Sequence, residues 1–308
     1  MLLIDFINVG YGDGILIREK DSKVLFSMLV DCGNTTIGST EDKNSKRIDV
    51  SDFLNKERIE HLDLVVLTHL HRDHIGGLAK LLKHVTLSEL WSVYLPEPSR
   101  LHKRAKIDKT YSKRAKGVTR TLNMLMDGLE ILSGRDCILR QVNHSHRSLK
   151  MTENLSVNID CYHPYLYAFQ KNVLDNALTG LTRGDDLDFI GEYFNISGIR
   201  LKLFYHGRNI ILPADVSSAF WEDEEDQPCY ILKVPHHASR SFVSEKLIST
   251  LQPEYSVVTV SNDRTDDRPS LSAIRLLQRY SKHVLFTDAV SVPGINPEYH
   301  QSVRLTIP

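Results

Sequence analysis

Residues 62–70 read LDLVVLTHL, a continuous apolar run about the length of one strand, and the chain then changes at once into HRDHIGG. A run of that kind suits a strand buried on both faces, inside a sheet that other layers cover. Gly76 and Gly77 follow, and LAKLLKHV resumes with helical spacing. The polar cluster is therefore delivered at the end of a core strand and directly before a helix. A chain organised around such a unit is an α/β protein.

The rest of the chain supplies more strands. LLIDFINV, DGILIRE and VLFSMLVDCG are short, rich in Ile, Leu, Val and Phe, and separated by glycine and charged turns. Residues 38–47, GSTEDKNSKR, read as a loop, and SDFLNKERI as a short helix led by Ser51. Strand signals return at LSVNIDCYHP, IRLKLFYHGRNIILPAD, CYILKVPHH and YSVVTVS; SLSAIRLLQRYSK has helical spacing and HVLFTDA reads as a late strand. Strands in runs, with helices between and after them, predict two packed sheets with outer helices in one domain, 1–308. There is no repeat of fixed period and no low-complexity linker.

Composition excludes several classes. No apolar run reaches the roughly 18 residues of a membrane span. The first segment carries Asp5 and Asp13 and no basic leader, so it reads as strands and not as a signal peptide. Cys32, Cys137, Cys161 and Cys229 are scattered and form no CxxC pair, which fits free thiols in a reducing cytoplasm. Formal net charge is -1, so any basic surface is local. It falls at about 97–150, where thirteen Lys/Arg face five Asp/Glu. That segment is expected to be a basic, largely helical insertion.

The chemistry centres on His69, His71, Asp73 and His74, three imidazoles and a carboxylate within six residues. Alternation along a strand-like segment would put His69, His71 and Asp73 on one side, with His74 turning to the next. Imidazole suits Zn and other first-row divalent ions, and the carboxylate widens the choice to Mn. A carboxylate among imidazoles can also serve a second ion, and two ions close together can activate a water and clamp leaving-group oxygens. The alternative is a solvated histidine-rich loop, but delivery by a buried strand argues against it.

HLHRDH resembles the His-x-His-x-Asp-His signature of the metallo-β-lactamase superfamily. The resemblance implies an αββα four-layer sandwich and a metal-dependent hydrolase with two divalent ions, Zn or Mn. VDCGN, with Asp31 and Gly33, is similar to the family's early strand-end Asp-x-Gly, where Asp31 would orient a ligand imidazole. NIILPADV puts Asp215 at the later position whose carboxylate reaches both ions. ILKVPHHAS, with His236 and His237, resembles the LKvxHHGS segment of the ComEC-like competence proteins, and INVGYGDGILI resembles their DVGQGDAxLI, with Asp13 as a second supporting carboxylate. NISGIRLKLFYHGRNIILPAD is similar to their Asn-x-Ser strand and the Asp motif after it. The likeness runs, with gaps, from about residue 2 to about residue 287.

The implied metal ligands are His69, His71, Asp73, His74, Asp215 and His237, and His163 is open between ligand and structural residue. Asp73 would help hold or deprotonate the attacking water. His236 would give a proton to the leaving group or stabilise the developing oxyanion. His237 as ligand and His236 as acid follow a related phosphodiesterase arrangement, and the motif alone leaves the exchanged assignment open. Three departures from the subfamily, Tyr11 for Gln, Arg268 before Pro269 for His, and HHAS for HHGS, bear on substrate contacts more than on metal binding. The subfamily's membrane channel has no counterpart here, so a stand-alone cytoplasmic protein is expected, with no membrane partner.

Members of the superfamily hydrolyse β-lactams, thioesters, lactones and phosphodiesters, so the fold alone does not choose. The ComEC-like motifs favour a nuclease or other phosphodiesterase. Lys103, Arg104, Lys113 and Arg114, with Tyr111 among them, could track a phosphate backbone, or could be a solvated helix face. A hydrolase of a small ester, lactone or thioester and a non-catalytic scaffold are the other classes. A nuclease of this type would serve DNA processing or defence against phage. His206 in a turn, His144 and His146 in a polar stretch, and WEDEED are expected to be solvated.

Overall fold

The computed structural model describes residues 1–37, 45–261, 269–296 and 298–308. Most of the loop expected at 38–47 lies outside these residues, as does Arg268. The opening apolar runs pair as an antiparallel meander: β1 (Leu2–Ile7), β2 (Ile15–Lys20) and β3 (Val24–Val30). Helix α1 (Val50–Lys56) then carries the chain to β4 (His61–Leu67), parallel to β3. Its N-cap is Asp49, whose carboxylate accepts from Asp52 N at 3.0 Å, so the helix starts ahead of the expected Ser51. After α2 (Arg72–Ile75) and α3 (Leu78–Leu81) come the parallel β5 (Thr86–Ser92), α4 (Lys113–Leu132) and parallel β6 (Ile138–Gln141).

The second sheet begins with antiparallel β7 (His146–Lys150), β8 (Leu155–Asp160), β9 (Arg200–Tyr205) and β10 (Arg208–Leu212). Helices α5 (Pro164–Thr179) and α6 (Gly184–Tyr193) intervene between β8 and β9. Parallel β11 (Ile231–Lys233), β12 (Tyr255–Val258) and β13 (His283–Phe286) complete it, linked by α7 (Glu245–Leu251) and α8 (Leu271–Tyr280). A last strand, β14 (Ser302–Ile307), returns to pair antiparallel with β1. The sheet orders are β14-β1-β2-β3-β4-β5-β6 and β13-β12-β11-β10-β9-β8-β7.

Alternation within single strands sorts the apolar side chains between layers. Ile210, Ile231 and Val257 join the core shared by both sheets. Their neighbours Ile211, Leu232 and Val258 join a second core, with Leu247 and Leu251 of α7 and Ile274 and Leu277 of α8. The layers are therefore helix, sheet, sheet, helix, the expected αββα sandwich. Arginines paired with buried carboxylates tie strands together on each side. Arg18 and Arg304 reach Asp5 at 2.7 and 2.6 Å across β2, β1 and β14. Arg200, 2% exposed, pairs with Asp160 at 2.7 Å and with Glu225, its guanidinium 4.9 Å from the Trp221 ring centroid.

The basic segment departs from the expected largely helical insertion, with its long helix confined to α4. Residues 101–112 are not helical; α4 starts only at Lys113, where Ser112 Oγ accepts from Ala115 N at 3.0 Å. The same segment supplies β6 and β7, an outer strand of each sheet, so the chain passes from one sheet to the other within it.

Candidate metal centre

β4 stops at Leu67 because Thr68 turns to Asp31. Thr68 N donates to Asp31 Oδ1 at 2.8 Å and its hydroxyl to Oδ2 at 2.7 Å. His71 then caps the single turn of α2, so Asp73 and His74 ride on a helix and not on a continued strand. The alternation expected to group His69, His71 and Asp73 is cut short there. His69 Nε2 lies 3.1 Å from His71 Nδ1, while Asp73 and His74 turn toward the second sheet. Backbone crowding fixes this turn: a Cβ on Gly12, at φ +128, would come within 2.1 Å of Asp73 O.

The second sheet supplies its groups from two tight turns. Ala214 (φ 51) precedes Asp215 after β10, and His236 (φ 45), His237 (φ 54) and Ala238 (φ 60) follow β11. Asp31 (φ 60) on the first sheet shares this left-handed backbone, which non-glycine residues adopt rarely. Strained positions of this kind collect where surrounding contacts impose a working geometry.

Asp73, His74, Asp215 and His237 offer donor atoms that all lie within 4.8 Å of one another. His74 Nε2 is 3.3 Å from Asp215 Oδ2; His237 Nε2 is 3.7 Å from the same oxygen and 3.6 Å from Asp73 Oδ2. Both rings are held through their other nitrogen. His74 Nδ1 donates to Asp31 at 2.7 Å, and His237 Nδ1 to the Thr259 carbonyl at 2.8 Å. Each Nε2 is thereby aimed into the group, buried and without a hydrogen-bond partner.

Electrostatics agree with a cation there. Burial opposes charge on His74, but Asp215 and Asp31 outweigh it and hold its pKa well above the ordinary imidazole value. His237 is raised against burial by Asp215 and Asp73. Burial would raise Asp215 and Asp73, yet the surrounding positive groups hold both below the usual carboxylate range. Positive charge is demanded between these carboxylates, as protons on imidazoles or as a cation that replaces them. The donor set fits a divalent ion.

Asp215 Oδ2 also lies 3.9 Å from His69 Nε2 and 3.7 Å from His236 Nε2. Its other oxygen, Oδ1, is 3.4 Å from Lys233 Nζ. Lys233 is fully buried and bonds Asp13 at 2.6 Å and Ala214 O at 2.9 Å. Sequence reasoning assigned no role to Lys233; the signal present was a lysine inside the apolar run ILKV, where only a paired ammonium can be buried. Burial lowers the pKa of His69 and His71, and brings His236 down to about 4. The Asp73 and His236 side chains are 18% and 13% exposed, whereas His69, His74 and His237 are at 0%, so of these five only the first two reach the surface.

Other expected residues lie apart. His163 stands at the N-cap of α5 with Nδ1 3.1 Å from the Tyr165 hydroxyl and its ring against Phe220, and does not join the Asp73, His74, Asp215 and His237 group. Lys103, Lys113 and Arg114 are exposed, but Arg104 pairs with Asp127 at 2.8 Å and with Glu130, and Arg114 pairs with Glu192 at 3.2 Å. His144 and His206 are exposed and His146 nearly so. In the WEDEED stretch Glu225 is buried against Arg200 and not solvated.

Residues 7–116 match the family model described as metallo-beta-lactamase superfamily. The chain is similar to that superfamily over these residues. It is 25% identical over 294 residues to ComE operon protein 3 of Bacillus subtilis (strain 168), which covers 92% of this chain and 32% of that protein. The chain thus spans about a third of that relative's length. The metallo-beta-lactamase fold protein YhfI from Bacillus subtilis superposes with a TM-score of 0.51 at 12% identity, over 99% of this chain and 100% of that one, which shows a shared fold. The expected likeness to the superfamily and the sandwich are borne out. Among the described residues, no helix is long and apolar enough to cross a membrane.

Proposed function

We propose that this protein is a divalent-metal-dependent phosphodiesterase that acts on nucleic acid. The observation that carries the reading is the pair of buried, unpartnered Nε2 atoms of His74 and His237 converging on Asp73 and Asp215. Likeness to ComE operon protein 3 along nearly the whole chain supports phosphodiesters over other substrates.

Asp73, His74, Asp215 and His237 would hold one ion, and His69 and His71 would join Asp215 at a second. A divalent ion, Zn or Mn, would supply Lewis acidity, lowering the pKa of water and offsetting charge on oxygen. Asp73, partly exposed at the mouth, would accept a proton from the attacking water. His236, also at the mouth, would hydrogen-bond the oxygen on which charge develops. Lys233, held in turn by Asp13, would keep Asp215 Oδ1 occupied and leave Oδ2 to the imidazoles. Free Cys32, Cys137, Cys161 and Cys229 fit action in a reducing cytoplasm, on host DNA or on phage nucleic acid.

Protein purified without chelator should contain about one or two Zn or Mn ions per chain by elemental analysis. Stripping them should abolish hydrolysis of methyl p-nitrophenyl phosphate and of oligonucleotides, and either ion should restore it. No bound metal, and no rebinding of Zn or Mn, would end the enzyme reading. One observation favours the small-molecule alternative: Arg104 and Arg114 already have carboxylate partners. Faster turnover of a thioester or lactone than of any phosphodiester would decide for it.

A further inference from the structure

Beside the metal centre, α2, α4 and α6 enclose a pocket of about 270 Å³. Asp73 forms its inner wall, Phe194 packs against His71 with ring centroids 5.5 Å apart, and Arg72 and Arg114 line it with them. Arg72 Nε donates to Thr35 Oγ1 at 2.9 Å, which sets the direction of its guanidinium. Arg114 is held by Glu192 in a pair exposed on both sides, and such a pair is weak enough to exchange for a ligand anion.

The glycines on these helices differ in their reasons. A Cβ on Gly128 would come within 2.5 Å of Leu78 Cδ2, and one on Gly191 within 2.6 Å of Val118 Cγ2, so helix packing accounts for both. Gly117, inside α4 and lining the pocket, has no such reason: a Cβ there meets nothing within 4 Å. Glycine weakens a helix interior, and no protein neighbour among the described residues requires this one. What it leaves is room.

We propose that this pocket binds one unpaired nucleotide unit adjoining the scissile phosphodiester, with the Arg72 and Arg114 guanidinium groups on phosphate oxygens and the unit lying over Gly117. The proposal rests on the phosphodiesterase reading of the metal centre. The guanidinium fork matches phosphate oxygens in pairs. The volume is just under the ~300 Å³ at which pockets for drug-sized ligands begin, room for a single unit and not for a duplex. The protein should therefore cleave single strands and spare paired ones.

The test uses metal-loaded protein and Gly117→Leu, whose Cβ meets no neighbour within 4 Å and which puts bulk on the pocket wall and favours the helix. Deoxyadenosine monophosphate, titrated by calorimetry, should bind the wild type and bind Gly117→Leu at least about tenfold more weakly. Wild type should cleave a single-stranded oligonucleotide at least about tenfold faster than its duplex, and Gly117→Leu should lose more rate on the strand than on methyl p-nitrophenyl phosphate. Equal nucleotide binding by both proteins, or a duplex cut as fast as a single strand, overturns the proposal. Should Gly117→Leu melt early, the same binding comparison with Arg72→Gln and Arg114→Gln decides it. If wild type hydrolyses neither the strand nor the methyl diester, the phosphodiesterase reading fails, while the nucleotide titration still tells whether the pocket was read correctly.

Discussion

Asp31 is fully buried, and both its oxygens are committed, to Thr68 and to His74 Nδ1. It never needs to touch a metal to matter, because it decides which nitrogen of His74 is bare. Asp31→Ala should lower metal affinity by roughly 10–100-fold, read by competition with a chelating dye. An unchanged affinity would mean that packing alone orients the ring. At this scale the sequence was readable where candidate ligands crowd into a few residues: His69, His71, Asp73 and His74 announce themselves. Asp215 and His237 were readable only by resemblance, since an Asp or His at a strand end has no meaning of its own. Lys233 and Gly117 were not readable, because their roles arise from Asp13 and from an empty volume that exist only after folding.

Helix α4 begins with Lys113, Arg114 and Lys116 and has no acidic residue in its first turn, so its charges face the unfavourable end of the helix dipole. An element that accepts this cost is suited to meeting anions. Changing Lys103, Arg104, Lys113 and Arg114 together to Gln should flatten the salt dependence of single-strand binding by about 0.7 in log–log slope for each phosphate no longer neutralised. Arg104→Gln alone should move it least, since Asp127 and Glu130 already neutralise that side chain. A slope that does not change makes the segment a solvated surface. Elements were legible in proportion to how far they stand alone. The long apolar strands showed in pattern, but α5 did not, although its buried residues Leu166, Gln170, Val173 and Ala177 are helically spaced. Gln170 interrupts the apolar stripe, and its amide is met by Ser197, 2.6 Å away in the fold. β14, mixed in polarity, becomes a strand only because β1 offers an edge.

For the molecule as a whole, scaffold and site should separate. Arg200→Ala leaves Asp160 and Glu225 buried without that guanidinium, and should cost about 3–5 kcal/mol in urea unfolding while the folded protein keeps its metal affinity. A loss of affinity as large as that of Asp31→Ala would mean that the two are one network. The centre itself is divided between the layers: Asp73 and His74 come from the first sheet, Asp215 and His237 from the second. During synthesis the ribosome releases the first pair long before the second. A half-made chain therefore holds only half a centre, and any ion it meets is bound loosely or not at all. On the proposed function, cleaving power would be withheld until both sheets have closed on each other, and an unfinished or truncated copy would be born harmless to the nucleic acids around it.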